Sequence, residues 1–134
     1  MVIDWTRIPA AENARSGVTR KTVCGEKMSA MKVVVAGGTR FDGRLHHHPH
    51  EQMLVVLSGQ VSVQINDTVV DAEPGDLVFF PSGSLHAVVG AGSQEACFYE
   101  LSAPARTDQL PGWVAASALR YQDQSSAEAA GEGQ

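Results

Sequence analysis

The chain has 134 residues, of which 43% are hydrophobic, and ten basic against fifteen acidic residues give a formal net charge of −5. This composition favours one globular domain with a buried core over a disordered chain. The acidic balance, without a basic run, argues against nucleic acid or an anionic membrane as partner. No apolar run is long enough for a membrane helix, and MVIDWTRIPA lacks a signal pattern, so we predict a cytoplasmic protein.

Short β-type segments separated by Gly, Pro, Asn and Asp fill the sequence from 18 to 101. Strands are predicted in the segments MKVVVAGG (31–38), MLVVLSGQVSVQI (53–65), DLVFFP (76–81), HAVV (86–89) and EACFYEL (95–101). Ser58 and Gly59 predict a tight turn that reverses the chain, and Asn66 and Asp67 predict another. Many short strands with frequent turns predict an all-β fold, either a sandwich or a barrel.

The two ends of the chain are predicted to differ from this β-rich centre. Residues 1–20 are expected to form an N-terminal arm, either swapped onto a partner or loose, and residues 21–112 the barrel. The segment WVAASALRY (113–121) predicts a short helix, and the small polar residues of 122–134 predict a disordered tail.

The segment HHHPHEQ (46–52) contains four histidines, an acid and an amide. In an extended segment alternate side chains share one face, which here gives the set His46, His48, His50 and Gln52. Pro49 favours an extended residue before it and suits a loop that enters a strand. Taken alone, the cluster is as compatible with a solvated histidine loop as with a metal site.

Two segments resemble the two sequence motifs of the cupin superfamily. The first motif corresponds here to His46, His48, Gln52 and Gly59, and the second to Gly75, Pro81, Gly83 and His86. Fifteen residues separate the two motifs, a spacing that is usual in the family. Two positions depart from the family pattern: Arg40 replaces a frequent glycine, and Gly90 replaces a common asparagine. The resemblance extends over about residues 30–106.

The resemblance implies a single-domain antiparallel β-barrel of jelly-roll type that holds one divalent metal ion per chain (Zn, Ni, Fe or Mn) through His46, His48, Gln52 and His86. Imidazole suits these metals, and three or four protein ligands leave room for water or substrate. Spacing and parity favour Gln52 over Glu51 as the fourth ligand. A neutral ligand set leaves the metal its full charge and makes it a stronger Lewis acid. His47 and His50 are expected at the surface or around the ligands.

The segment ELSAPAR (100–106) is similar to the end of the barrel in cupins that ketonise unsaturated uronates. Those enzymes carry the pattern Asp-x-Phe-x3-Arg there, with Glu100, Ser102 and Arg106 at the matching positions of this chain. The resemblance implies that Glu100 transfers a proton and that Arg106 holds a substrate carboxylate. The missing aromatic ring puts the sugar-acid substrate in question. From the residues alone, a structural hydrogen bond for Glu100 and a solvent-facing Arg106 stay open.

The leading hypothesis for function is a metal-dependent cupin enzyme. Its divalent metal ion would act as a Lewis acid on a carbonyl or enol of a small molecule, such as a carboxylate or a polyketide. The reaction would be of isomerase, cyclase or lyase type, for example uronate ketonisation or polyketide cyclisation. An Fe(II)-dependent dioxygenase and a non-enzymatic metabolite- or metal-binding cupin are the alternatives. Cupins usually pair through their sheets, so a homodimer is expected.

Overall fold

The fold is built from antiparallel strands, and the computed structural model describes it for residues 1–12, 14–112 and 117–122. In chain order the strands are β1 (Val18–Cys24), β2 (Ser29–Val35), β3 (His46–His47), β4 (Glu51–Ser58), β5 (Val61–Ile65), β6 (Thr68–Ala72), β7 (Leu77–Phe80), β8 (His86–Ala91), β9 (Ala96–Ala103) and β10 (Arg120–Tyr121). Two short 3-10 helices, Trp5–Arg7 and Thr107–Gln109, complete the described elements. Among these residues no helix is long and apolar enough to cross a membrane.

The strands form two five-stranded sheets that face each other. The first has the order β1-β2-β9-β4-β7 and the second the order β10-β3-β8-β5-β6. Successive strands repeatedly change sheet, as β2 and β3, β4 and β5, and β8 and β9 do. This alternation is the jelly-roll arrangement, which confirms the predicted all-β barrel.

One predicted turn has a different role in the structure. Gly59 does adopt a positive φ of 73°, but β4 and β5 belong to different sheets, so the chain crosses the barrel here instead of forming a hairpin. A side chain at Gly59 would collide with the backbone of Glu95 and Ala96, which explains the glycine. The second predicted turn, at Asn66, does connect the hairpin of β5 and β6.

The core lies between the inner faces of the two sheets. Burial alternates strictly along β2, as expected for a strand with one face towards a core. The most deeply buried apolar side chains are Val35, Leu54, Val56, Val61, Val63, Phe80, Ala91, Ala96 and Phe98. Full burial of one such large side chain stabilises the fold by about 1.5–3 kcal/mol. The buried polar residues include His48, Gln52 and His86, so the barrel interior also contains a polar site.

The N-terminal segment packs on the outside of the first sheet. Asp4 caps the first 3-10 helix by accepting a hydrogen bond from the Thr6 backbone N–H at 3.1 Å. The ring of Trp5 stacks on that of Tyr99 with 5.9 Å between centroids. The Lys21 ammonium donates to the Trp5 carbonyl at 2.9 Å. The described part of this segment is therefore docked on its own barrel, and β1 already begins at Val18.

The C-terminal segment contains a strand where a helix was predicted. Residues 113–116, and 123–134 of the predicted tail, lie outside the described residues. Arg120–Tyr121 pairs with His46–His47 as an antiparallel strand, and the Gln122 N–H donates to the Leu45 carbonyl at 2.9 Å. Pairing with a strand distant in sequence here overrides the local helical preference.

Candidate metal centre

The three histidines of the two motifs meet inside the barrel. His46 on β3 stands directly opposite His86 on β8 in the strand register, and His48 lies in the loop that leads from β3 to β4. Ligand nitrogens of the three side chains all lie within 4.8 Å of one another. The ring centroids of His46 and His86 are 4.5 Å apart, and those of His48 and His86 are 4.9 Å apart. The structure thus brings the three predicted histidine ligands together.

Backbone carbonyl groups set the tautomers of two of these rings. His86 Nδ1 lies 2.9 Å from the Ser84 carbonyl oxygen, and His48 Nδ1 lies 3.1 Å from the His50 carbonyl oxygen. A carbonyl oxygen only accepts, so each Nδ1 carries the proton and donates, which leaves Nε2 with a free lone pair. His86 Nε2 is buried and has no hydrogen-bond partner within the described residues. An outer carbonyl that orients the ring in this way is usual for a metal-bound imidazole.

Gln52 joins the cluster, and Glu51 does not. Gln52 is buried on β4 and its Oε1 lies 3.0 Å from His48 Nε2, whereas Glu51 is exposed. Because His48 Nδ1 already carries the ring proton, Nε2 and Oε1 face each other as two acceptors. Either a rotated amide or a cation between the two groups relieves this conflict.

Burial keeps the imidazoles neutral. Loss of hydration, followed by the neighbouring His86 and His48, lowers the pKa of His46 to about 3. Loss of hydration also lowers the pKa of His86 to about 4 and, in the same direction, that of His48. Neutral imidazole is the form that binds metal ions.

These residues fit a divalent metal ion. The buried Nε2 of His86 has no partner within the described residues, and a cation would also relieve the opposed acceptors on His48 and Gln52. Three imidazole nitrogens and an amide oxygen form a donor set that suits Zn, Ni, Fe or Mn. The barrel could hold the ion through residues of β3, β4, β8 and the loop that follows β3.

The two other predicted neighbours of the ligands differ in exposure. His50 is 8% exposed and its ring packs edge-on against His48, with 5.4 Å between centroids. Its carbonyl oxygen orients His48, so it belongs around the ligands. His47 is half-buried on β3, where it pairs with Arg120 of β10.

The histidine cluster opens onto a cavity of about 490 Å³ inside the barrel. Apolar and aromatic side chains form about half of its wall, including Met31, Val33, Phe41, Phe80, Phe98 and Tyr121. Charged side chains face the same space, namely Arg15, Arg20, Arg44, Glu100, Arg106 and Asp108. A cavity of this size accommodates a small organic molecule.

Glu100 occupies a position next to the candidate ligands. It lies on β9 two residues before Ser102, which stands opposite Gln52, so Glu100 and Gln52 are diagonal neighbours on the inner face. Burial raises the pKa of Glu100 to about 7, even though Arg106 and Arg20 act in the opposite direction. Glu100 therefore lines the cavity, and near neutral pH its carboxyl group populates both the protonated and the ionised form.

Arg106 is inside the protein and already has a partner. It is 3% exposed, and its Nε and Nη2 donate to the two carboxylate oxygens of Asp108 at 2.8 and 2.9 Å. Asp108 also accepts from the Ser117 hydroxyl and the Ala118 N–H. Although burial raises the pKa of Asp108, the hydrogen bonds and charge of Arg106 bring it well below its usual range. The edge of Arg106 that would grip a substrate carboxylate is thus occupied by Asp108.

Sequence reasoning missed several residues of this cavity. Asp108 follows Arg106 by two positions and could have been noticed as its counter-ion. Arg20 alternates with Val18 and Thr22 on β1, so the period of two could have placed it on the inner face. Tyr121 lies edge-on against His46, with 6.0 Å between centroids, and only the pairing of β10 with β3 reveals this.

Fold and site together define a small β-barrel protein whose interior carries an imidazole-rich site able to hold a metal ion. The family model described as "Cupin domain" matches residues 31–102, more than half of the chain, and the chain belongs to this family. The matched region contains all four candidate ligands and Glu100. No protein of the curated set matches the sequence.

Many solved structures share the fold. An RmlC-like cupin from Shewanella frigidimarina NCIMB 400 is 22% identical with a TM-score of 0.66, over 77% of this chain and 89% of that one. KdgF from Halomonas sp. is 25% identical with a TM-score of 0.65, over 74% and 89%. The polyketide cyclase RemF from Streptomyces resistomycificus is 16% identical with a TM-score of 0.66, over 87% and 88%. At identities below 25% the likeness concerns the fold.

Proposed function

We propose that this protein is a metal-dependent enzyme that moves a proton on a carbonyl or enol compound, with an isomerase, cyclase or lyase outcome. One observation carries the proposal: a cluster of three imidazoles lies beside a cavity that two of them, His46 and His86, line together with Glu100, whose pKa is raised to about 7. A general acid–base is most effective when its pKa lies near the ambient pH. Glu100 meets this condition beside a site that can bind a cation.

Each part of the site has a separate task in this reaction. A divalent ion held by His46, His48, Gln52 and His86 would supply Lewis-acid polarisation of a substrate oxygen. The carbonyl groups of Ser84 and His50 hold the rings of His86 and His48 in the tautomer that a cation requires. The carboxylate of Glu100 accepts a proton from a carbon or hydroxyl of the substrate, and its acid form returns the proton at another atom.

The wall of the cavity bears on the kind of substrate. Phe41, Phe80, Phe98 and Tyr121 supply aromatic surface, and Met31 and Val33 supply aliphatic surface. Such a wall excludes water from the reacting atoms and suits an unsaturated or ring-forming molecule, such as a polyketide, better than a free sugar. We therefore place a flat unsaturated carbonyl compound, whether or not it carries an acidic group, ahead of a hydroxyl-rich sugar as the substrate.

The principal alternative is an oxidative reaction at iron. Three imidazoles with a neutral fourth ligand can support an Fe(II) dioxygenase. Glu100 favours proton transfer, because a carboxyl group with a raised pKa has an immediate use in general acid–base chemistry. A third possibility, a binding protein without turnover, uses the same cavity.

Metal content tests the first half of the proposal. Untagged protein, purified without nickel resin or chelators, is expected to carry about one Zn, Ni, Fe or Mn per chain by elemental analysis. His86→Ala should lose most of this metal, because it removes the buried nitrogen that lacks a partner. His47→Ala is the matched control and should retain the metal. If His86→Ala retains as much metal as His47→Ala and the wild type, the proposed centre is excluded.

Proton exchange tests the second half without knowledge of the natural substrate. The metal-loaded protein is incubated in D₂O with small 2-keto acids and 1,3-diketones, and exchange of the enolisable protons is followed by NMR. Exchange should proceed without oxygen and fall by at least about a hundredfold in Glu100→Gln, the range typical of general acid–base groups. Oxygen consumption with iron would instead favour the dioxygenase, and ligand binding without exchange in either protein would favour a binding module.

A further inference from the structure

Arg20 places a charged side chain on the apolar face of an edge strand. On β1, Thr22 is 5% exposed and Val18 packs against the core, so the residue between them also points inwards. The strand register sets Arg20 opposite Val33, a core residue that lines the same cavity. An alternating strand would ordinarily carry an apolar residue here.

The guanidinium of Arg20 has an unmet requirement. Its Nε is buried and has no hydrogen-bond partner within the described residues. Of the two carboxylates that line the cavity, Asp108 is committed to Arg106, Ser117 and Ala118. The charge of Arg20 lowers the pKa of Glu100, but Glu100 makes no hydrogen bond to this Nε. An unpaired buried N–H on a charged group is unfavourable, so this donor is available to an acceptor that enters the cavity.

The charge of the whole cavity points to the same kind of acceptor. Four arginines line it against two carboxylates. Arg106 is neutralised by Asp108, and the ion pair of Arg15 with Asp42 is long, at 3.9 Å, and exposed on both sides. Because the histidines are neutral, the four arginines outnumber the two carboxylates, and the cavity side chains carry a net positive charge even before a cation binds. Such a cavity attracts and retains anions.

We propose that Arg20 is the anion-binding residue of the cavity, and that the molecule bound there carries a carboxylate or phosphate group held by the Nε edge of Arg20. This assignment deepens the proposed function and rests on it for the reacting end of the molecule. It moves the carboxylate-binding role from Arg106, where the sequence placed it, to a residue of the opposite end of the chain. Guanidinium suits both oxyanions, because its two parallel N–H groups match their geometry.

Three small probes test the assignment on protein stripped of metal, so that no probe can bind through an ion. Benzoate, phenyl phosphate and the neutral benzamide are titrated by calorimetry in a buffer free of competing anions. The wild type should bind at least one of the two anions about tenfold or more tightly than benzamide, since a charge-assisted hydrogen bond between guanidinium and an oxyanion is stronger than one to a neutral amide. Whichever anion binds more tightly identifies the oxyanion that the site prefers.

The variants separate Arg20 from general charge effects. Arg20→Gln should lose the preference for anions and raise the melting temperature of the unliganded protein, because an unpaired charge leaves the interior. Arg20→Lys keeps the positive charge but lacks the two parallel N–H groups of the guanidinium, so it should retain only part of the preference for anions. Arg7→Gln removes an exposed arginine outside the cavity and should behave as the wild type.

The inference fails if the wild type shows no preference for either anion, if Arg20→Gln keeps the preference, or if Arg20→Gln melts at a lower temperature. None of these results depends on metal binding, which His86→Ala tests separately. A failure of this assignment is therefore distinguishable from a failure of the proposed metal centre.

Discussion

Replacement of Glu100 by glutamine should remove one pH-dependent contribution to stability. Folding raises the pKa of this carboxyl from 4.5 to about 7, so between these values the folded chain binds more protons than the unfolded chain. Stability from this group is therefore present in full below pH 4.5 and lost as the pH rises towards 7. A glutamine side chain at this position would mimic the protonated acid and does not titrate.

The size of the effect follows from the same shift. Each pKa unit corresponds to about 1.36 kcal/mol, which gives an upper limit of about 3 kcal/mol above pH 7. Glu100 is only half-buried and faces the cavity, so solvent reduces the expected gain of Glu100→Gln to about 1–3 kcal/mol. The buried histidines affect stability in the opposite direction, but they are common to both proteins and cancel in the difference.

Urea unfolding of both proteins at pH 4 to 8, after metal removal, measures this difference directly. Glu51→Gln removes a glutamate from the exposed end of β4 and controls for the loss of one charge. The free-energy difference between Glu100→Gln and wild type should grow with pH, and addition of Zn should reduce it, because a nearby cation favours the ionised carboxylate. A difference that stays constant from pH 4 to 8 would refute the assignment of the raised pKa to Glu100.

Three further substitutions test the site and the barrel. Asp108→Asn should destabilise the protein by about 3 kcal/mol by leaving Arg106 without its counter-charge, and thermal unfolding should show recovery in the double variant with Arg106→Gln. Gly59→Ala should lower the free energy of unfolding in urea by about 2–4 kcal/mol, because the new Cβ is strained at a positive φ and collides with the backbone of Glu95 and Ala96. Gly38→Ala also has a positive φ, but its Cβ would enter open space, so it should lower this free energy by only about 1–2 kcal/mol. Gln52→Glu should keep the metal in elemental analysis but slow proton exchange by about tenfold, because a carboxylate offsets part of the charge of the cation.

The site residues that could be predicted from the sequence are those that belong to short sequence motifs. The resemblance to the two cupin motifs predicted that His46, His48, Gln52 and His86 form one cluster, and the folded chain brings them together. The similarity of ELSAPAR to the barrel end of uronate-ketonising cupins singled out Glu100, and Glu100 lines the cavity.

The features that sequence reasoning missed depend on contacts between distant segments. The turn at Gly59 has hairpin chemistry, but only the sheet order shows that the chain changes sheet there. Arg106 follows a proline and a strand end, which allowed a solvent-facing position, yet Asp108 and the segment at Ser117 enclose it. The pairing of Arg120–Tyr121 with β3 likewise needs the folded barrel.

The candidate ligands and Arg20 together restrict how a substrate can lie in the cavity. In the first sheet, β9 with Glu100 lies between β1 with Arg20 and β4 with Gln52. These outer two strands are three strand spacings apart, about 14 Å. A molecule whose anionic group meets Arg20 and whose carbonyl oxygen meets the histidine cluster must therefore pass its intervening carbons beside Glu100. Those carbons are where a carboxyl group with a pKa near neutral can add or remove a proton, so the positions of the three groups favour a bifunctional acidic carbonyl compound over a simple ketone.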